Sequence, residues 1–151
     1  MKIDFAQIPD WWEVCLNTKC PKAAGCLRQL AFRNMPDTVT KWPCVMPWAM
    51  KDGECKSFFS SEKVRLARGY NKMFARVRSR DDKYNMRRDL TDYLGSKGTY
   101  YRYKDGERML NPEQQQWILQ LFLRYGYEGP LEFDEYVDSY DFKRQQQQCF
   151  P

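Results

Sequence analysis

Five of the six cysteines fall between Cys15 and Cys55, in the segments CLNTKCPKAAGC, WPCVMP and DGECKSFF, and the 151-residue chain has no histidine. Thiolate sulfur is the ligand shared by tetrahedral zinc and by iron–sulfur clusters, so a group this dense points first to a metal. The gaps do not repeat the two-residue spacing of paired zinc knuckles, which leaves the choice of ligands to local turn chemistry. Pro21 and Gly25 permit sharp turns around Cys20 and Cys26, and Asp52-Gly53 does the same ahead of Cys55. The expected ligands are Cys15, Cys20, Cys26 and Cys55, with zinc as the metal and an iron–sulfur cluster as the alternative. Cys44, between Pro43 and Val45, reads as a buried small hydrophobe and as the substitute ligand. Cys149, beside a glutamine run, reads as a free thiol. Four protein ligands leave no open coordination position, so the expected role is structural. The bland alternative is a set of unrelated core thiols.

Disulfides would be the first expectation in an exported protein. The opening MKIDFAQIPDWW lacks the basic, apolar and small-residue pattern of an export signal, and nowhere do eighteen apolar residues run together. A soluble, cytoplasmic protein is therefore expected, with no membrane partner.

Charge divides unevenly along the chain. Residues 1–62 carry 8 Lys/Arg against 7 Asp/Glu, residues 63–104 carry 13 against 4, and residues 105–142 carry 2 against 9. A basic block of this size suits an anionic partner through counterion release. It also suits a solvated helix surface paired internally with the acidic segment.

Residues 1–58 mix Trp11, Trp12, Trp42 and Trp48 with five prolines and show no sustained period, so they read as a loop-rich, cysteine-rich module with short helices. From residue 60 to 142 the pattern is helical. Leu66, Tyr70, Met73, Phe74 and Val77 share one helix face, and a second helix after Asp81-Asp82 turns Met86, Leu90, Tyr93 and Leu94 inward and ends at Gly95. Asn111-Pro112-Glu113-Gln114 is a capped helix start that leads into a buried face of Trp117, Ile118, Leu121, Phe122 and Tyr125. Tyr136 to Tyr140 fits a short helix or a strand. Residues 143–151 form a Gln-rich tail. The expected fold class is mainly α: a small cysteine-rich, metal-stapled N-terminal module followed by a helical domain.

Two structures compete for Gly98 to Leu110. Asp105-Gly106 between TYYRYK and ERML suits a two-residue hairpin turn. Alternatively, a helix runs from about Ser96 to Lys104, with Tyr100 and Tyr103 inward and Lys97, Thr99, Tyr101 and Arg102 outward. The stretch LTDYLGSKGTYYRYKDGERMLNPEQQQWI, residues 90–118, resembles the DNA-binding core of lambda-repressor-like helix-turn-helix proteins. Thr99, Arg102, Gly106, Glu107, Arg108, Pro112 and Glu113 carry the likeness. The whole chain also resembles an uncharacterised family of bacterial proteins with an N-terminal cysteine cluster and a TYYRY, GER, PEQQ segment.

The helix-turn-helix likeness implies that Lys97, Thr99, Tyr101 and Arg102 approach base edges while Lys104, Arg87 and Arg88 contact phosphates. DNA binding, as in a transcriptional regulator, is the expected function. The alternative is a protein-interaction adaptor using the Trp/Met/Pro-rich segment WPCVMPWAM. No enzyme is expected, because histidine, a phosphate-binding glycine loop and a nucleophile motif are all missing. No small-molecule substrate suggests itself.

Overall fold

A computed structural model describes residues 2–142. The Gln-rich tail and Cys149 lie outside them. The described residues divide into two compact units, one formed by residues up to 62 together with Phe142 and the other by residues 63–141.

The chain is mixed α/β, which corrects the expectation of a mainly α protein made of a cysteine-rich module and a helical domain. In the first unit, strand β1 (Val14–Cys15) precedes helix α1 (Leu27–Arg33). Three further short strands follow: β2 (Cys44–Val45), β3 (Met50–Lys51) and β4 (Glu54–Cys55). β1 pairs in parallel with β2, and β3 pairs antiparallel with β4. The β3–β4 loop is Asp52-Gly53, whose φ values of 52° and 80° are those a tight two-residue hairpin demands.

This unit has a genuine apolar core. Trp12, Leu27 and Ala31 are fully buried, with Ile3, Ile8, Val14 and Leu30 beside them. The Trp12 ring meets Phe59 and Phe142 edge-on, at 5.1 and 5.0 Å between centroids. The Arg28 guanidinium lies 4.7 Å over the same ring. A buried guanidinium needs acceptors to offset its desolvation. Arg28 donates to the Ser57 and Glu13 carbonyls at 2.6 Å each, and the Glu13 carboxylate stands 3.6 Å away.

The second unit runs β5 (Val64–Arg68), α2 (Asn71–Ala75), α3 (Arg80–Leu94), α4 (Lys97–Lys104), α5 (Pro112–Arg124) and β6 (Glu135–Ser139). The single helix face expected over Leu66 to Val77 is instead a strand and a short helix. Gly69, at φ 66°, breaks the chain between them. β5 pairs antiparallel with β6 from Val64↔Ser139 to Arg68↔Glu135. That ladder satisfies the backbone of residues whose spacing, taken locally, also fits a helix. The segment beyond Gly129-Pro130 is correspondingly a strand.

The three longer helices start where their caps place them. Ser79 Oγ accepts from the Asp82 N–H, and Ser96 Oγ from the Thr99 N–H. Asn111 and Gln114 form a reciprocal capping box, at 2.8 and 3.0 Å. Tyr70, Met73, Met86, Leu90, Tyr100, Ile118 and Phe122 meet in the core these elements enclose. Tyr70 donates its hydroxyl to the Tyr100 carbonyl at 2.6 Å, tying α4 down at its middle. Among the described residues, no helix is long and apolar enough to cross a membrane.

Candidate nucleic-acid interface

The residues between Gly95 and Gly106 are helical. Ser96 caps α4, and positive φ at Gly95 (107°) and Gly106 (78°) turns the chain into and out of it. Tyr100 and Tyr103 face the core, while Lys97, Tyr101 and Arg102 are exposed. Thr99 is half-buried, and its hydroxyl lies 3.0 Å from Ser96 Oγ.

Between α3 and α4 runs an open groove of about 280 Å³, lined by Tyr84, Arg87 and Arg88 from one helix and Lys97 and Tyr101 from the other. Tyr84 is 70% exposed and Tyr101 37%. Three cations and three aromatic rings, the third from the buried Tyr100, thus share one surface depression, with Asp92 the carboxylate beside them.

The remaining acids of α3 are largely turned elsewhere. Asp82 accepts from the Tyr127 hydroxyl at 2.6 Å and Asp89 from the Tyr125 hydroxyl at 2.7 Å. Those hydrogen bonds hold the Tyr125 and Tyr127 hydroxyls above their ordinary pKa, since each needs the phenol's proton, and burial and the carboxylate's charge add to the shift. Arg88 also lies 3.4 Å from Asp89 and Arg87 hydrogen-bonds the Tyr100 hydroxyl, which leaves Lys97 as the less engaged cation of the groove. Burial raises the Tyr100 hydroxyl, with the neighbouring Arg87 opposing the shift.

Lys104 and Arg102 sit apart from this groove. Lys104 is half-buried, its ammonium 5.6 Å from the Tyr101 ring centre. It lines a second cleft of about 260 Å³ with Arg68, Asp105, Asp134 and Glu135. Nothing in the spacing of these residues marks that cleft. Both Asp134 oxygens are committed there: Oδ1 accepts from the Lys72 N–H, and Oδ2 from the Asn71 N–H and side-chain amide. Asp134 is therefore a structural latch on α2. Arg102 is exposed on the free face of α4.

In the first unit, Cys15, Cys20, Cys26 and Cys55 all line one small cavity, of about 20 Å³. Cys44 is exposed rather than buried. Among the described residues, no three Cys, Asp or Glu side chains are placed to share a single ion. Trp48 and Met46, from WPCVMPWAM, are 75% and 53% exposed.

The model of a family of unknown function, DUF6078, matches residues 1–142. No curated protein and no solved structure matches the chain.

Proposed function

Because the chain belongs to DUF6078, a family without an assigned activity, we propose its role from its own geometry: it binds DNA through the exposed face of α3 and α4. The observation that carries this is the groove itself, where Arg87, Arg88 and Lys97 surround the exposed rings of Tyr84 and Tyr101. Cations supply the sequence-independent attraction to phosphate. The rings supply flat surfaces against sugars or bases.

α4 has eight residues and is about 12 Å long, short enough to enter a major groove with its outer face toward base edges. Arg102 on that face suits the two acceptors of a guanine edge. Arg87 and Arg88, one helix back, suit the phosphate backbone and fix register. The resemblance of residues 90–118 to helix-turn-helix proteins points the same way.

The test is binding of the full chain to a random pool of duplex DNA at two salt concentrations, followed by selection of bound sequences. Affinity should fall steeply with salt, and Arg102→Ala should relax any selected preference. No binding at low salt, or affinity indifferent to salt, rejects the proposal. The exposure of Trp48 and Met46 favours a second role in holding a protein partner. Retained co-purification of one defined protein, lost in Trp48→Ala while DNA binding is absent, would put that role first.

A further inference from the structure

The cavity of the first unit gathers four thiols from separate stretches of chain. Cys15 closes β1, Cys20 lies in the turn that follows, Cys26 stands at the N-cap of α1, and Cys55 closes β4. Secondary structure alone gives no reason for these positions to converge. The β1–β2 ladder, the β3–β4 hairpin and the Cys26↔Ser60 bridge bring them to one place.

We propose that this cavity is a four-thiolate site for a thiophilic metal, with Cys15, Cys20, Cys26 and Cys55 as ligands. Three features of the lining fit such an occupant. Its volume, about 20 Å³, exceeds the roughly 10–15 Å³ that one small guest needs. Lys22 and Arg28 line it too, and their positive charge offsets that of thiolates gathered on one centre. Gln29, 1% exposed, also lines it, and its Oε1 is a buried acceptor for which the protein supplies no hydrogen-bond donor. An oxygen left so is accounted for where a water or ion belongs beside it.

Loading draws the thiols inward. Each thiol loses one proton and forms one sulfur–metal bond, so four protons are released as the site closes. In zinc sites the sulfur–metal distance is about 2.3 Å. Zinc and iron–sulfur clusters share this four-thiolate chemistry, and the metal content of the protein separates them.

The experiment is anaerobic purification of the full chain without chelator, followed by metal and inorganic-sulfide analysis and by mass mapping of cysteine alkylation. About one zinc per chain, colourless, or iron with an equal amount of sulfide, brown, supports the site and names its occupant. In the loaded protein Cys15, Cys20, Cys26 and Cys55 should resist alkylation while Cys44 reacts. Chelation should expose all four together and, because each freed thiolate takes back a proton, should proceed more readily below neutral pH than above it. Cys20→Ser and Cys55→Ser should lower metal content at least tenfold, and Cys44→Ser should leave it unchanged. The wild-type alkylation map needs no variant to fold. Purified protein that carries neither metal and takes up neither zinc nor iron with sulfide overturns the proposal. So does alkylation of Cys20 and Cys55 as fast as that of Cys44.

Discussion

The Asp134 carboxylate accepts hydrogen bonds from the backbone N–H groups of Asn71, at 3.1 Å, and Lys72, at 2.8 Å, so α2 is capped by a residue 62 positions downstream of its second turn-forming amide. Gly69 makes the approach possible, because a β-carbon there would collide with that carboxylate. Replacing Asp134 by Ala should cost about 1–2 kcal/mol, the range of a lost helix cap. Gly69→Ala should cost more, since it adds the collision to a positive φ. Urea unfolding followed by circular dichroism measures both, and an unchanged midpoint for Asp134→Ala would remove the latch.

The α5 capping box supplies a second, independent stability test. Asn111→Ala should lose about 1 kcal/mol, and Gln114→Ala less, because the Gln side chain returns only one bond to the cap. The double variant should lose less than the two single losses added together. Strict additivity would mean that the two bonds act separately.

High pH should unfold the second unit from its tyrosines. Burial raises the Tyr70 hydroxyl well above its ordinary value of 10.0, and burial also raises Tyr100. Both phenols stay protonated in the fold above the pH at which the unfolded chain ionises them. Their contribution is intact below about pH 10 and is lost as pH climbs beyond it. Tyrosinate absorbance and ellipticity should therefore change together above that pH. Tyr70→Phe should weaken the coupling while costing about 1 kcal/mol at neutral pH through the lost bond to the Tyr100 carbonyl.

DNA affinity should respond to the groove cations in a graded way. Arg87→Ala and Lys97→Ala should each reduce the slope of log affinity against log salt by about 1, with little change in sequence preference. Tyr101→Ala should weaken binding with little change in that slope. Filter binding over a salt series distinguishes these outcomes, and equal slopes for all variants would free Arg87 and Lys97 from any phosphate contact.

Local pattern was enough for some elements and not for others. Tyr100 and Tyr103, three residues apart between Ser96 and Gly106, carry the α4 helix in their own spacing. Asn111-Pro112 and Gln114 mark the start of α5 in the same way, because caps act within a few residues. β5 is different: Leu66 followed by Tyr70 and Met73 satisfies a helical period, and the strand exists through partners at residues 135–139. No local window contains both halves of that ladder. Turn residues stand beside Cys20, Cys26 and Cys55, which line one cavity, whereas Cys44, whose apolar neighbours suggest burial, is exposed. Asp134 gave no warning of its role, since a carboxylate announces nothing about amides so distant in the chain.

The β5–β6 register has a kinetic consequence. Its paired residues are separated by between 67 positions (Arg68 to Glu135) and 75 (Val64 to Ser139), so the ladder can knit only after a long loop has closed. α3, α4 and α5 form from neighbours in sequence and can gather earlier. A refolding chain should recover helical ellipticity first, and hydrogen-exchange protection at Leu66 and Val137 should arrive last and simultaneously.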